Sequence, residues 1–112
     1  MTTPARRHRI LRNLRAPGRA SLLEATITPD GRLEIHGLDS GNGVAEGDEY
    51  SHYQWSWTVE PADLPAALTA LDGGGGDPLA VLERWVNEHA SDPGMAISAA
   101  GVPIQFSSRL AD

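Results

Sequence analysis

Glu24, His36 and His52 are side chains of the types that ligate divalent metals or exchange protons, and all three fall at polar positions of alternating segments. Two imidazoles and a carboxylate form a recognised facial ligand set, and a carboxylate next to an imidazole tunes it for acid–base work. Whether the three meet depends on register. A tight turn at Pro29-Asp30-Gly31 sets Ala25 across from Ile35 and Ile27 across from Leu33. Continuity of the apolar face then sets Leu33 against Trp55 and Ile35 against Tyr53. On that register Glu24, His36 and His52 stand in one outward row, with Thr26, Glu34 and Gln54 in the next. A solvated polar face is the competing reading and outweighs both the metal site and the acid–base pair, because a flat row lacks the concavity that excludes water.

The stretch "EYSHYQWSWTVE", residues 49–60, raises a second question of chemistry. Tyr53, Trp55 and Trp57 are spaced by two, so in a strand they share a face with Val59, while Tyr50, His52, Gln54, Ser56 and Thr58 share the other. Such rings could stack a sugar or a base. They are also the bulk a small sheet needs for its core, at roughly 2–3 kcal/mol per buried ring before entropy. The apolar set is expected to face inward, which makes Trp55 and Trp57 structural.

The opening twenty residues carry Arg6, Arg7, Arg9, Arg12, Arg15 and Arg19 and no acid. They read as a basic arm able to neutralise phosphates or lie on an acidic surface. Ile10 and Leu14, four apart, suggest a short amphipathic helix in "ARRHRILRNLRA", broken by "APG". So short a helix is marginal alone, so a mobile tail is the plainer expectation. An Arg-rich, acid-free leader is also the composition of an organelle transit peptide. The complete lack of lysine, with abundant Ala, Gly, Pro and Asp, instead carries the codon signature of a GC-rich bacterial genome.

Other motifs yield little. "DGGGGD" lacks the lysine and hydroxyl residue of a phosphate loop and is flanked by acids, so it reads as a flexible connector. "DSGNGVAEGDE" places Gly41 and Gly43 where a calcium loop needs oxygen ligands. The chain has no cysteine, which removes disulfides and thiolate chemistry and fits a reducing compartment. No apolar run is long enough to span a bilayer.

The elements that would position these groups follow from periodicity. "LLEATITPDGRLEIHGL" is two strands and a turn, and the Trp-bearing segment is a third strand. Asp63 is the expected cap of a helix with Leu64, Leu68 and Leu71 on its apolar stripe. Asp77 and Pro78 open a second helix that buries Leu79, Leu82, Trp85 and Val86. "SDPGMAISAAG" suggests a third helix stopped by Gly101, and "VPIQFSS" a last edge strand with Ile104 and Phe106 inward. The expected fold is a two-layer α+β domain: an antiparallel meander of three strands plus a C-terminal strand, one face covered by two or three helices. Residues 1–20 form the flexible arm and 21–112 the domain.

At 112 residues and net charge −6, the chain is a small acidic protein; from residue 21 onward three arginines face fifteen acids, a balance of −12. The functional reading is a non-enzymatic, cytoplasmic interaction domain without a cofactor, monomer or homodimer, that holds a protein with a basic surface. An inhibitor or immunity-type protein is the concrete form, gaining rate and selectivity from charge. Its expected contacts are Asp48, Glu49, Tyr50, His52 and Gln54. One alternative is a nucleic-acid-associated protein using Arg6, Arg7, Arg9, Arg12 and Arg15. Another is a small metal- or His-dependent enzyme built on Glu24, His36 and His52.

Overall fold

The computed structural model describes residues 7–41, 51–73, 76–89 and 91–111. Five strands, β1 (Arg7–Ala16), β2 (Arg19–Ile27), β3 (Leu33–Gly41), β4 (Ser51–Val59) and β5 (Gln105–Ala111), form one antiparallel sheet in sequential order. Between β4 and β5 come a 3₁₀ turn (Pro61–Asp63) and the helices α1 (Leu64–Ala70), α2 (Pro78–Glu88) and α3 (Pro93–Ala99). The helices pack on one face of the sheet. This is the expected α+β architecture, extended by one strand at the N-terminal side.

That strand corrects the reading of the basic segment as a helical or mobile arm. Residues 7–16 are β1, paired along β2 through a turn at Pro17-Gly18. Alternation was hidden by a bulge between Ile10 and Arg12, which inserts Leu11 as an extra residue and sends it into the core. Ile10 and Leu14, which look like one helical face, therefore point to opposite faces of the sheet. Arg7 and Arg9 turn toward α2, where Arg7 pairs with Asp77 and the Arg9 guanidinium lies 3.9 Å from Glu83.

The β2–β3 hairpin has the expected register, with Ala25 opposite Ile35 and Ile27 opposite Leu33. Gly31 holds φ at 92°, the left-handed conformation that only glycine adopts without strain. The β3–β4 register differs from expectation by four residues: Leu33 faces Val59, Ile35 faces Trp57 and Gly37 faces Trp55. The reason is space. A Cβ on Gly37 would lie 2.1 Å from the Trp55 ring, so the indole occupies the space that a side chain on β3 would fill. Side-chain parity survives the slip, and Trp55 and Trp57 are 9% and 8% exposed, as their inward assignment requires.

The core joins Leu23, Ala25, Leu33, Ile35 and Val59 of the sheet to Ala67, Leu68 and Leu71, to Leu79, Val81, Leu82, Trp85 and Val86, and to Ile97. Asp77 caps α2 by accepting the Ala80 amide proton, while Asp92 caps α3 through Gly94. Asp63, the expected cap of α1, makes no capping hydrogen bond: its backbone is already helical as part of the 3₁₀ turn. Among the described residues no helix is long and apolar enough to cross a membrane.

Candidate functional site

The sheet offers two surfaces on which chemistry could occur. On the open face, a broad concavity of about 670 Å³ includes His8, Glu24, Glu34, His36, Gln54, Ser56 and Arg109. The four-residue slip dissolves the Glu24–His36–His52 row. Glu24 still faces His36, but His36 then faces Ser56, and His52 lies across from Ser40. Glu24 instead meets His8 of the basic segment, with 2.8 Å between Nε2 and Oε2, and His36 lies 3.7 Å from Glu34. The imidazoles and carboxylates thus pair off two by two. Among the described residues no three such groups converge as metal ligands. The open face is a polar surface on which His8 and His36 each lie beside a carboxylate.

Gln54, one of the expected contacts, lies on this face and accepts a hydrogen bond from Arg109 at 3.4 Å. Asp48, Glu49 and Tyr50 lie outside the described residues, as does Arg6. Of the other expected nucleic-acid contacts, Arg7 and Arg9 face carboxylates of α2 and its cap. Arg15 is exposed near the β1–β2 turn, and the Nε of Arg12 is buried without a hydrogen-bond partner. The basic segment therefore serves first to fasten an edge strand to a helix. The Arg7 guanidinium, donating to Asp77, holds that carboxyl below its usual value.

The second surface lies on the helix side, where the strands outrun the helices. A cavity of about 410 Å³ opens there between α3 and strands β3 to β5. Its floor is aromatic: Tyr53 stacks on Trp55 at 5.5 Å, and Trp57 meets Phe106 at 4.5 Å. Two carboxylates border it, Asp39 from β3 and Asp92 from the start of α3. Asp92 is committed on both oxygens, to the Gly94 amide and to the Trp57 indole N–H at 2.8 Å. Asp39 is not: its Oδ1 is buried without a partner, and so is the indole Nε1 of Trp55. Each such buried, unmatched group costs about 1–3 kcal/mol. At the rim Met95 and Phe106 are 64% and 50% exposed, an apolar pair on the open surface.

The aromatic wall was legible in the sequence; its acidic and apolar rim was not read. One signal was present. In "LEIHGLDSG" Asp39 falls on the same parity as Leu33, Ile35 and Gly37, an acid on the apolar face. Met95 and Asp92 belong to a helix whose docking position follows only from packing: a Cβ on Gly94 would lie 2.3 Å from the Trp57 ring, so α3 rests directly on that indole. No protein-family model matches the chain, and no curated protein or solved structure is significantly similar to it.

Proposed function

We propose that the protein is a non-enzymatic interaction domain whose partner is a protein with a basic surface, and that it meets that partner at the open end of the helix-side face. One observation carries this reading: Met95 and Phe106 stand exposed beside Asp39 and Asp92, and no arginine among the described residues pairs with either acid. Exposed apolar groups ringed by uncompensated acid are the usual anatomy of a surface that covers a cationic patch. The chain's net charge of −6 adds long-range attraction for such a partner. An inhibitor or immunity-type role, in which this face closes over a basic toxin or enzyme, is the specific form proposed. The proposed contact moves from the loop around Asp48 and Glu49 to the pocket between α3 and β3–β5, while the kind of partner stays the same.

The test is affinity capture from the native host with wild-type protein and with Met95→Arg, which places a cation at the rim. A basic protein retained by the wild type, released by raised salt and lost with Met95→Arg, is expected. Retention of the same proteins by both forms, or indifference to salt, would refute the reading. Nucleic acid recovered in place of a protein, and lost when Arg15 and Arg19 become Ala, would move the function to the basic hairpin.

A further inference from the structure

We infer that the pocket between α3 and strands β3 to β5 is the seat of a single arginine side chain, inserted by the basic partner proposed above. The inference rests on that reading and adds the chemistry of the anchor.

Shape gives the first argument. At about 410 Å³ the cavity is of a size that accepts one long side chain, and falls in the range of small-ligand sites. Its lining gives the second. The rings of Tyr53 and Trp55 lie nearly parallel, with 23° between their planes, while Trp57 and Phe106 meet at 51°. Flat and tilted aromatic faces around one opening suit a planar, weakly hydrated cation, because the ring quadrupole attracts positive charge and a guanidinium can stack. An ammonium group is more strongly hydrated and loses more on entering such a site.

Charge gives the third. Asp39 faces this pocket with one oxygen buried and unpaired. Of the described arginines on the same face, Arg7 and Arg9 are turned to α2; Arg19 stands on the neighbouring β2 opposite Gly41, two residues along from Asp39, and neither it nor Arg12 makes an ion pair with that acid. A carboxylate in an aromatic site that forms no ion pair among the described residues attracts a cation from outside, more strongly as water is displaced. The long apolar stem of an arginine would meanwhile cover the exposed faces of Met95 and Phe106. A purely apolar guest would satisfy the rim but leave Asp39 buried beside it, and a carboxylate guest would be repelled.

The experiment follows the tryptophan indole N–H resonances of the isotopically labelled full chain during titration with four capped tripeptides, Gly-X-Gly, where X is arginine, lysine, citrulline or norleucine. The arginine peptide is expected to shift the Trp55 and Trp57 signals. Citrulline has the same shape without the charge and should bind about tenfold more weakly, with lysine in between. Asp39→Asn, which keeps the shape of the side chain, should abolish the preference of arginine over citrulline. Met95→Arg should place a guanidinium at the opening and weaken the arginine peptide further. Equal binding of norleucine and arginine, or an arginine-induced shift that ignores Asp39→Asn, would overturn the inference. If wild type and Asp39→Asn capture the same basic protein in a salt-dependent manner, the pocket inference falls and the basic-partner reading stands. If the peptide preference depends on Asp39 but no basic protein is ever captured, the pocket stands and the partner reading falls.

Discussion

The two ends of the helix-side face are built from the same strands with the same side-chain parity, and they differ in everything else. At the end under the helices, Leu33, Ile35, Val59 and Ala25 are fully buried against Ile97, Leu82 and Leu71. Two steps further along the same strands, Ala25 and Leu23 give way to Ser21, Ile35 and Gly37 to Asp39, and Trp57 and Trp55 to Tyr53. The helices, at seven to eleven residues, are too short to cover strands of nine and ten. Burial therefore explains one end and leaves the other with unmatched Asp39 and Trp55 atoms and an exposed Met95–Phe106 pair. One face carries both the stability of the domain and its candidate site, and strand length is what separates them.

The largest expected effect tests that division directly. Ile35→Ala deletes a fully buried side chain at the covered end, and a loss of about 2–5 kcal/mol in urea unfolding is expected. Phe106→Ala, a larger deletion at the open end, should cost less than about 1.5 kcal/mol, because half of the ring is already in water. Equal losses would mean that the open end belongs to the core after all, and the contrast between the ends would collapse. The seam between them is Gly37. Gly37→Ala forces a methyl group into the Trp55 indole and should cost about 1–3 kcal/mol. It should also shift tryptophan emission to the red as the ring is pushed outward, whereas a stability loss without that shift would place the strain elsewhere.

The covered end was readable because each of its signals is local. Alternation placed Leu23, Ala25, Ile27, Leu33 and Ile35, and Asp77-Pro78 announced α2. The turn at Pro29-Asp30-Gly31 carried enough chemistry to fix the β2–β3 register. Where one local rule was interrupted, the reading failed. The bulge at Leu11 turned a period of two into something that looked helical, and the edge strand became an arm. The β3–β4 register went wrong for a different reason. Matching apolar residues to apolar residues allows several even slips, and only the steric fit of Trp55 over Gly37 selects among them. That same fit dissolved the Glu24–His36–His52 row. The candidate site at the open end draws on β3, β4, β5 and α3, brought together by packing over long separations in sequence, which no local period encodes.

The smallest expected effect lies back at the covered end, where the basic strand is tied to the helical layer. Asp77 caps α2 and accepts from Arg7; the ion pair needs the ionised carboxylate, while the cap needs only an accepting oxygen. Its pKa is held below the ordinary 3.8, first by the Arg7 hydrogen bond and further by the Ala80 amide and by the charges of Arg7 and Arg9. A folded-state pKa below the unfolded one stabilises the protein at pH above the unfolded value, and that contribution disappears as pH falls through the folded one. The side chains are half and more than a third exposed, so solvent screens the pair and limits its worth to about 1 kcal/mol or less. Asp77→Asn should therefore lower the urea midpoint slightly at about pH 7, and that difference should shrink progressively as pH falls below 3.8 and through the lower folded-state value. Added salt should shrink the neutral-pH difference too. A gap between wild type and variant that persists unchanged into acid would mean that Asp77 acts through the shape of its cap alone, and that β1 is held to the helices by Leu11 and not by charge.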